Sequence, residues 1–342
     1  MCLLCENPEA KTLQILTRLD CRNCPNLTRL PLLPALTRLD CDHCPNLTQL
    51  PESLPDLTRL GCFGCPNLIQ LPESLPALTY LNCAYCPNLT HLPESLPVLT
   101  QLYCHDCPNL TQLPLLPALT HLDCSSCSNL TQLPLLPALT YLHCFSCPNL
   151  TQLLLLPALT HLYCYDCPGL TQLPEMTALK YLDCFNCSIL TRLPESLPAL
   201  TNLHCFNCPI LTRLPESLPA LTHLDCFNCP ILTRLPESLP ALSYLDCAGC
   251  AWLPRQNPDY QQNVTRLLRL QSWFRRWAPL KRMQRWVRSE EFNAWYYSPG
   301  QPGQLRSEKR WKRKCVKRPR EDEESGVRKR SRYEPEGLEA DL

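Results

Sequence analysis

Glycine is almost missing from this chain. Eight glycines serve 342 residues, against 37 prolines, so its turns are expected to be built from proline rather than glycine. No stretch approaches 18 apolar residues without a break, which argues against a membrane-spanning helix. Met1 is followed directly by the Cys2/Cys5 pair, then Glu6 and Lys11, with no apolar core of a leader peptide. The expected setting is therefore intracellular, cytoplasmic or nuclear, and not secretory. Thiols stay reduced there, so 27 cysteines point to metal binding or core packing rather than to a disulfide framework.

What the sequence does contain is repetition. Thirteen Cys-x-x-Cys pairs run from Cys2/Cys5 to Cys247/Cys250, spaced almost always by 20 or 21 residues, and only Cys315 stands outside the series. A period near 20 with leucines at fixed offsets implies a solenoid, in which each unit buries its apolar residues only against its neighbours. One unit reads Leu36-x-x-Leu39-x-Cys41-x-x-Cys44-Pro45-x-Leu47-x-x-Leu50-Pro51-x-x-Leu54-Pro55. Side chains alternate along a strand, so Leu39 and Cys41 point inward while Arg38, Asp40 and Asp42 point outward. Pro51 and Pro55 forbid a regular helix in the return and favour an extended or polyproline segment. Returns alternate between Leu-Pro-Leu-Leu-Pro and Leu-Pro-Glu-Ser-Leu-Pro, which accounts for the two spacings without disturbing strand register.

This unit resembles the leucine-rich repeat, with Cys41 at the third leucine position and Cys44 at the Asn/Cys position of the turn. The second cysteine is similar to that of cysteine-containing leucine-rich repeats, and the Leu-Pro return to the short repeats of bacterial effector proteins. The resemblance implies a horseshoe with a parallel concave sheet and extended convex returns over residues 1–250, about 12 repeats. The concave face would then carry three variable columns. The first runs Arg18, Arg38, Arg59, Tyr80, Gln101, His121, Tyr141, His161, Tyr181, Asn202, His223, Tyr244. The second includes Asp20, Asp40, Tyr103, Asp123, His143, Tyr163, Asp183, His204 and Asp225, and the third Phe63, His105, Phe145, Tyr165, Phe185, Phe206 and Phe227. Exposed aromatics on a rigid sheet suit a binding face. Tyr103, Tyr141, Phe145, His161, Tyr163, Tyr165, Tyr181, Phe185, Phe206 and Phe227 are the partner-contact candidates.

The cysteines have two readings. Buried Cys packs as a small hydrophobe. The first cysteine, however, occupies a site that would suit Leu, Ile or Val, and it forfeits buried area in every rung. Rungs about 4.7–4.9 Å apart could bring two stacked pairs around one Zn²⁺, with Zn–S about 2.3 Å. The candidate ligands are Cys21 and Cys24, Cys41 and Cys44, Cys62 and Cys65, Cys83 and Cys86, Cys104 and Cys107, and Cys124 and Cys127. They continue with Cys144 and Cys147, Cys164 and Cys167, Cys184 and Cys187, Cys205 and Cys208, Cys226 and Cys229, and Cys247 and Cys250. Structural zinc is the first expectation and an iron–sulfur cluster the alternative.

Charge divides the chain. Residues 1–250 carry 10 Lys/Arg against 19 Asp/Glu, and residues 251–342 carry 22 against 12. Asn257-Pro258-Asp259 reads as a helix start, and Leu267, Leu270, Phe274 and Trp277 follow at helical spacing. An Arg/Trp-rich amphipathic helical cap is thus expected over 251–300, and a charged disordered tail over 301–342. Leu270-Gln271 with Arg275-Arg276 is partly similar to a calmodulin-binding IQ motif. Lys312-Arg313-Lys314, Lys317-Arg318-Pro319-Arg320 and Arg328-Lys329-Arg330 resemble nuclear-import clusters. Phe292, Trp295, Tyr296, Tyr297 and Pro299 after such repeats resemble proteins of large DNA viruses of amoebae, which implies a host protein as partner. The basic segment has acidic protein, nucleic acid or the chain's own solenoid as possible targets.

The functional expectation is a non-enzymatic scaffold for protein–protein interaction. A metal-storage or iron–sulfur electron-carrying array is the alternative. Substrate recognition for ubiquitin ligation is a further one, because both resembling repeat classes contain such proteins.

Overall fold

A computed structural model describes residues 15–236 and 239–250. They form twelve strands of three residues each: β1 (Arg18–Asp20), β2 (Arg38–Asp40), β3 (Arg59–Gly61), β4 (Tyr80–Asn82), β5 (Gln101–Tyr103) and β6 (His121–Asp123), then β7 (Tyr141–His143), β8 (His161–Tyr163), β9 (Tyr181–Asp183), β10 (Asn202–His204), β11 (His223–Asp225) and β12 (Tyr244–Asp246). One parallel sheet joins them in sequence order. Like residues pair across rungs, with Leu19 opposite Leu39, Leu39 opposite Leu60 and Leu224 opposite Leu245. The 21-residue step from Gln101 back to Tyr80 and the 20-residue step from Gln101 to His121 keep the same register. The additional residue is absorbed in the return, where Ser53, Ser74 and Ser95 bridge successive rungs.

The core follows from the spacing. Leu36, Leu39, Cys41, Cys44, Leu47, Leu50 and Leu54 of one rung all point inward and are buried. Burying each such leucine is worth about 1.5–3 kcal/mol relative to exposure, so the rungs are held mainly by this stack. Backbone hydrogen bonding continues past both strand ends. Thr37 N–H donates to Thr17 C=O at 2.8 Å, Cys41 N–H to Gly61 C=O at 2.7 Å, and His43 N–H to Phe63 C=O at 2.7 Å. The described residues contain no α-helix, as the paired prolines of the returns require. No helix among them is long and apolar enough to cross a membrane.

The turns depart from the sequence expectation. The residue just before the second cysteine lies in the left-handed region in twelve successive rungs. Its φ is 53–58° at Asn23, His43, Tyr85, Asp106, Ser126, Ser146, Asp166, Asn186, Asn207 and Asn228, and it is glycine at Gly64 and Gly249. Asn and Asp enter this region at least cost among residues with a side chain. Glycine scarcity therefore does not mean that left-handed turns are absent; polar residues supply them, and proline follows the turn.

By spatial clustering the chain divides into Met1–Trp273 and Phe274–Leu342, and every described residue belongs to the first unit. The helical cap expected over 251–300, the tail over 301–342, the IQ-like and import-like segments, Cys2, Cys5 and Cys315 lie outside the described residues.

Candidate partner-binding face and cysteine ladder

The outward strand positions build a face from three parallel columns. The ten aromatic and histidine candidates all sit on it, half-buried except for the exposed Tyr141. The third column stacks Phe145, Tyr165, Phe185, Phe206 and Phe227 at centroid distances of 4.5, 4.4, 4.4 and 4.6 Å, with planes within 9° of parallel. The sheet imposes this pitch, since neighbouring strands lie about 4.7–4.9 Å apart. Tyr141 stacks between His121 and His161 at 4.9 and 4.2 Å in the first column. Tyr163 joins His143 at 4.3 Å and Tyr181 at 4.9 Å. Tyr103 lies further from its neighbour, tilted on Tyr80 at 5.7 Å. Each aromatic pair adds about 0.5–1.5 kcal/mol beyond its buried area, so the face is stiffened by its own side chains.

The first rungs differ in chemistry. Asp20 pairs with Arg22 at 2.6 Å and Asp40 with Arg38 at 2.7 Å, while the Arg59 guanidinium lies 3.7 Å over Tyr80. Hydrogen bonding from Arg22 holds the Asp20 carboxyl below the usual range. Beyond β3 the arginines of the first column give way to Tyr, His, Gln and Asn, and two acids of the second column meet histidines. His105 Nδ1 lies 3.2 Å from Asp123 and His204 Nδ1 3.9 Å from Asp225. The acid partner raises the pKa of each of these imidazoles. Among the described residues Asp183 meets no such cation at ion-pair distance, and burial pushes its carboxyl up to about 6.

All 24 described cysteines are buried, and none is in a disulfide. The second cysteine of each rung turns its thiol to the carbonyl of the first cysteine one rung before. Cys44 donates to Cys21, Cys65 to Cys41, Cys86 to Cys62 and Cys127 to Cys104, at 3.1–3.2 Å. The pattern persists to Cys250, whose thiol donates to the Cys226 carbonyl at 3.1 Å. Each of these cysteines directly follows the left-handed residue of its rung. Burial raises the thiol pKa of Cys164, Cys184 and Cys205 well above the ordinary value, and brings Cys167 and Cys208 to about 11. Where two sulfurs meet, as in Cys62 with Cys86 and Cys104 with Cys127, hydrogen bonding raises the first thiol and lowers the second. A metal site needs thiolates. Among the described residues no three His, Cys, Asp or Glu side chains are grouped so as to hold a metal ion. The zinc and iron–sulfur expectations thus find no grouped ligand set among the described residues.

Two further ladders carry no signal in the aromatic or cysteine columns. Thr37, Thr58, Thr79 and Thr100 each donate a hydroxyl to the main-chain oxygen of the preceding threonine at 2.8–3.0 Å. Asn46, Asn67, Asn88 and Asn109 donate side-chain amides to Pro25, Pro45, Pro66 and Pro87 carbonyls at 2.7–2.8 Å. The asparagine of the recurring Asn-Leu-Thr triplet thus has a structural use in pairing rungs. Tyr85, not singled out from the sequence, packs edge-on against Phe63 and His105 at 5.1 and 5.3 Å. Its position in the left-handed column, rather than in a strand, hid it.

The fold is a leucine-rich-repeat solenoid. A family model described as Leucine Rich Repeat matches residues 178–200 and 220–242. Among solved structures the chain is similar to YopM from Yersinia enterocolitica WA-314, at 27% identity and a TM-score of 0.40, over 69% of this chain and 65% of that one. The chain thus spans a little under two thirds of that protein's length. No curated protein matches it.

Proposed function

We propose that this chain is a non-enzymatic scaffold that binds a protein partner through the outer face of its sheet. The supporting observation is the continuous aromatic column Phe145–Tyr165–Phe185–Phe206–Phe227, held half-exposed on a hydrogen-bonded frame. Rigid aromatics contribute large contact area at low entropic cost and dominate interface energetics. The histidines and acids beside them supply directional polar contacts. In this reading the cysteines serve the frame, as protonated thiols that satisfy buried carbonyls.

The test is affinity capture followed by mass spectrometry, with two sets of variants. Phe185→Ser/Phe206→Ser/Phe227→Ser disrupts the sheet face, and Leu115→Ser/Leu135→Ser alters exposed leucines of the returns. The proposal expects a defined set of proteins to be lost with the first variant and kept with the second. Loss with the second alone would move the interface to the returns.

A further inference from the structure

The returns carry an apolar stripe that serves nothing inside the fold. Glutamate stands in the returns at Glu52, Glu73 and Glu94, and again at Glu175, Glu195 and Glu216. In the three rungs between, its place falls to Leu115, Leu135 and Leu155, which are 70, 61 and 58% exposed. Leu154 replaces the proline found at that position in every other return from Pro31 to Pro236, and it too is exposed. Histidine aside, the only charged residue between Asp106 and Asp166 is Asp123, which lies on the sheet face. Leucine also forgoes a bond that glutamate makes there. Glu175, in the rung after Leu155, accepts the N–H groups of Glu195 and Ser196 at 3.0 and 3.2 Å. A contiguous apolar patch on a polar surface marks a contact site.

The two ends of the stripe say what fits it. Arg213 and Arg234 each reach back one rung, to Glu195 and Glu216. Arg192 holds the same place in its own rung, so its reach ends at the rung of Glu175. The Glu175 carboxylate is already occupied by main-chain N–H groups, and among the described residues Arg192 has no ion pair. Glu94, exposed at the other end, has none among them either. A free acid and a free arginine are thus each about two rungs from Leu135, roughly 9.4–9.8 Å. Opposite charges at equal distances from an apolar centre make a surface complementary to itself about a two-fold axis. An anionic bilayer, by contrast, would be repelled by Glu52, Glu73 and Glu94.

We propose that this stripe joins two copies of the chain, with their returns antiparallel about a two-fold axis at Leu135. Leu135 meets its counterpart, Leu115 meets Leu155 of the second copy, and Glu94 meets Arg192 of the second copy. The last two contacts each occur twice. The sheet face proposed to bind a protein partner takes no part in this contact.

Sedimentation velocity of the full chain tests the pairing. A few leucines a side make a contact at the small end of specific interfaces, so a dissociation constant on the order of 10 μM is expected. Leu135→Asp should weaken it by at least about 100-fold, and Glu94→Arg and Arg192→Glu should each weaken it by about tenfold. An equimolar mixture of the two charge variants should recover the dimer, because each chain then meets its opposite charge at both ends. All four sites are exposed or half of an exposed pair, and an unchanged circular dichroism spectrum confirms the fold. A monomer at every concentration, a dimer that Leu135→Asp leaves intact, or a mixture no tighter than its components overturns the inference. A monomer that binds phosphatidylcholine vesicles through Leu135 overturns it as well, and assigns the stripe to a lipid surface.

Discussion

The Cys44 thiol donates to the main-chain oxygen of Cys21 at 3.2 Å, across 23 residues of sequence and one rung of the solenoid. That carbonyl is buried at the end of its strand, where the chain turns away from the ladder. A buried carbonyl that loses such a donor forfeits about 1–3 kcal/mol. The relation recurs rung after rung, so the second cysteine is first of all a hydrogen-bond donor.

Removing the donor in mid-stack tests this. Cys127→Ala leaves the Cys104 carbonyl unpaired and is expected to lower stability by about 2 kcal/mol. Cys127→Ser keeps a donor and should cost about half as much. Urea denaturation of the two variants decides; equal losses would show that volume, not hydrogen bonding, fixes the residue.

The left-handed column makes a second prediction. Ser146 holds φ at 53°, a conformation that costs an L-residue about 1–2 kcal/mol and β-branched residues most. Ser146→Gly should raise the melting temperature and Ser146→Val lower it, each by an amount corresponding to roughly 1 kcal/mol. Calorimetry that ranks valine above glycine would contradict the turn geometry.

Asp183 gives the solenoid a pH dependence of definite sign. Burial raises its carboxyl from 3.8 to about 6 in the folded chain, so between about pH 4 and 6 the folded state holds the proton that the unfolded state has lost. Stability therefore falls as pH rises through this window. The groups around the carboxyl are His204, Asp225, Asp166, Tyr163, Tyr181 and the Phe185 N–H. His204 is raised by Asp225, and its contribution, present at low pH, is lost as pH rises through its folded pKa, in the same direction. Asp183→Asn should stabilise the chain at pH 7 by about 1 kcal/mol after allowance for solvent screening, and the gain should vanish near pH 4. A stability difference that does not change with pH would exclude the effect.

The cysteine ladder also predicts metal content. If the thiols stay protonated and donate to main-chain oxygens, as in the scaffold reading, zinc and iron in anaerobically purified protein should each stay below about one atom per chain. Chelation should leave the melting temperature unchanged. Several tightly held zinc atoms with a large loss of stability on chelation would require the sulfurs to regroup from the positions described here.

Periodicity in the sequence was enough to determine the solenoid, the parallel sheet and the inward or outward sense of each column. A side chain that alternates on a strand repeated every 20 or 21 residues has one arrangement in which Leu39, Leu60 and Leu81 share a core. The aromatic candidates were legible for the same reason, because the pattern that buries Leu182 exposes Tyr181 and Asp183. What the sequence could not decide is how neighbours on different rungs meet. Equal retention of both cysteines suited a shared metal as well as it suited packing; the structure adds that the Cys44 thiol donates to a main-chain oxygen of the preceding rung. The column that reads Asn23, Asp106, Ser126, Asn186 and Gly249 was the available signal for that turn. The Arg38–Asp40 pair, two residues apart on one strand, was legible in one dimension; only the rung-to-rung register shows His105 beside Asp123 and His204 beside Asp225.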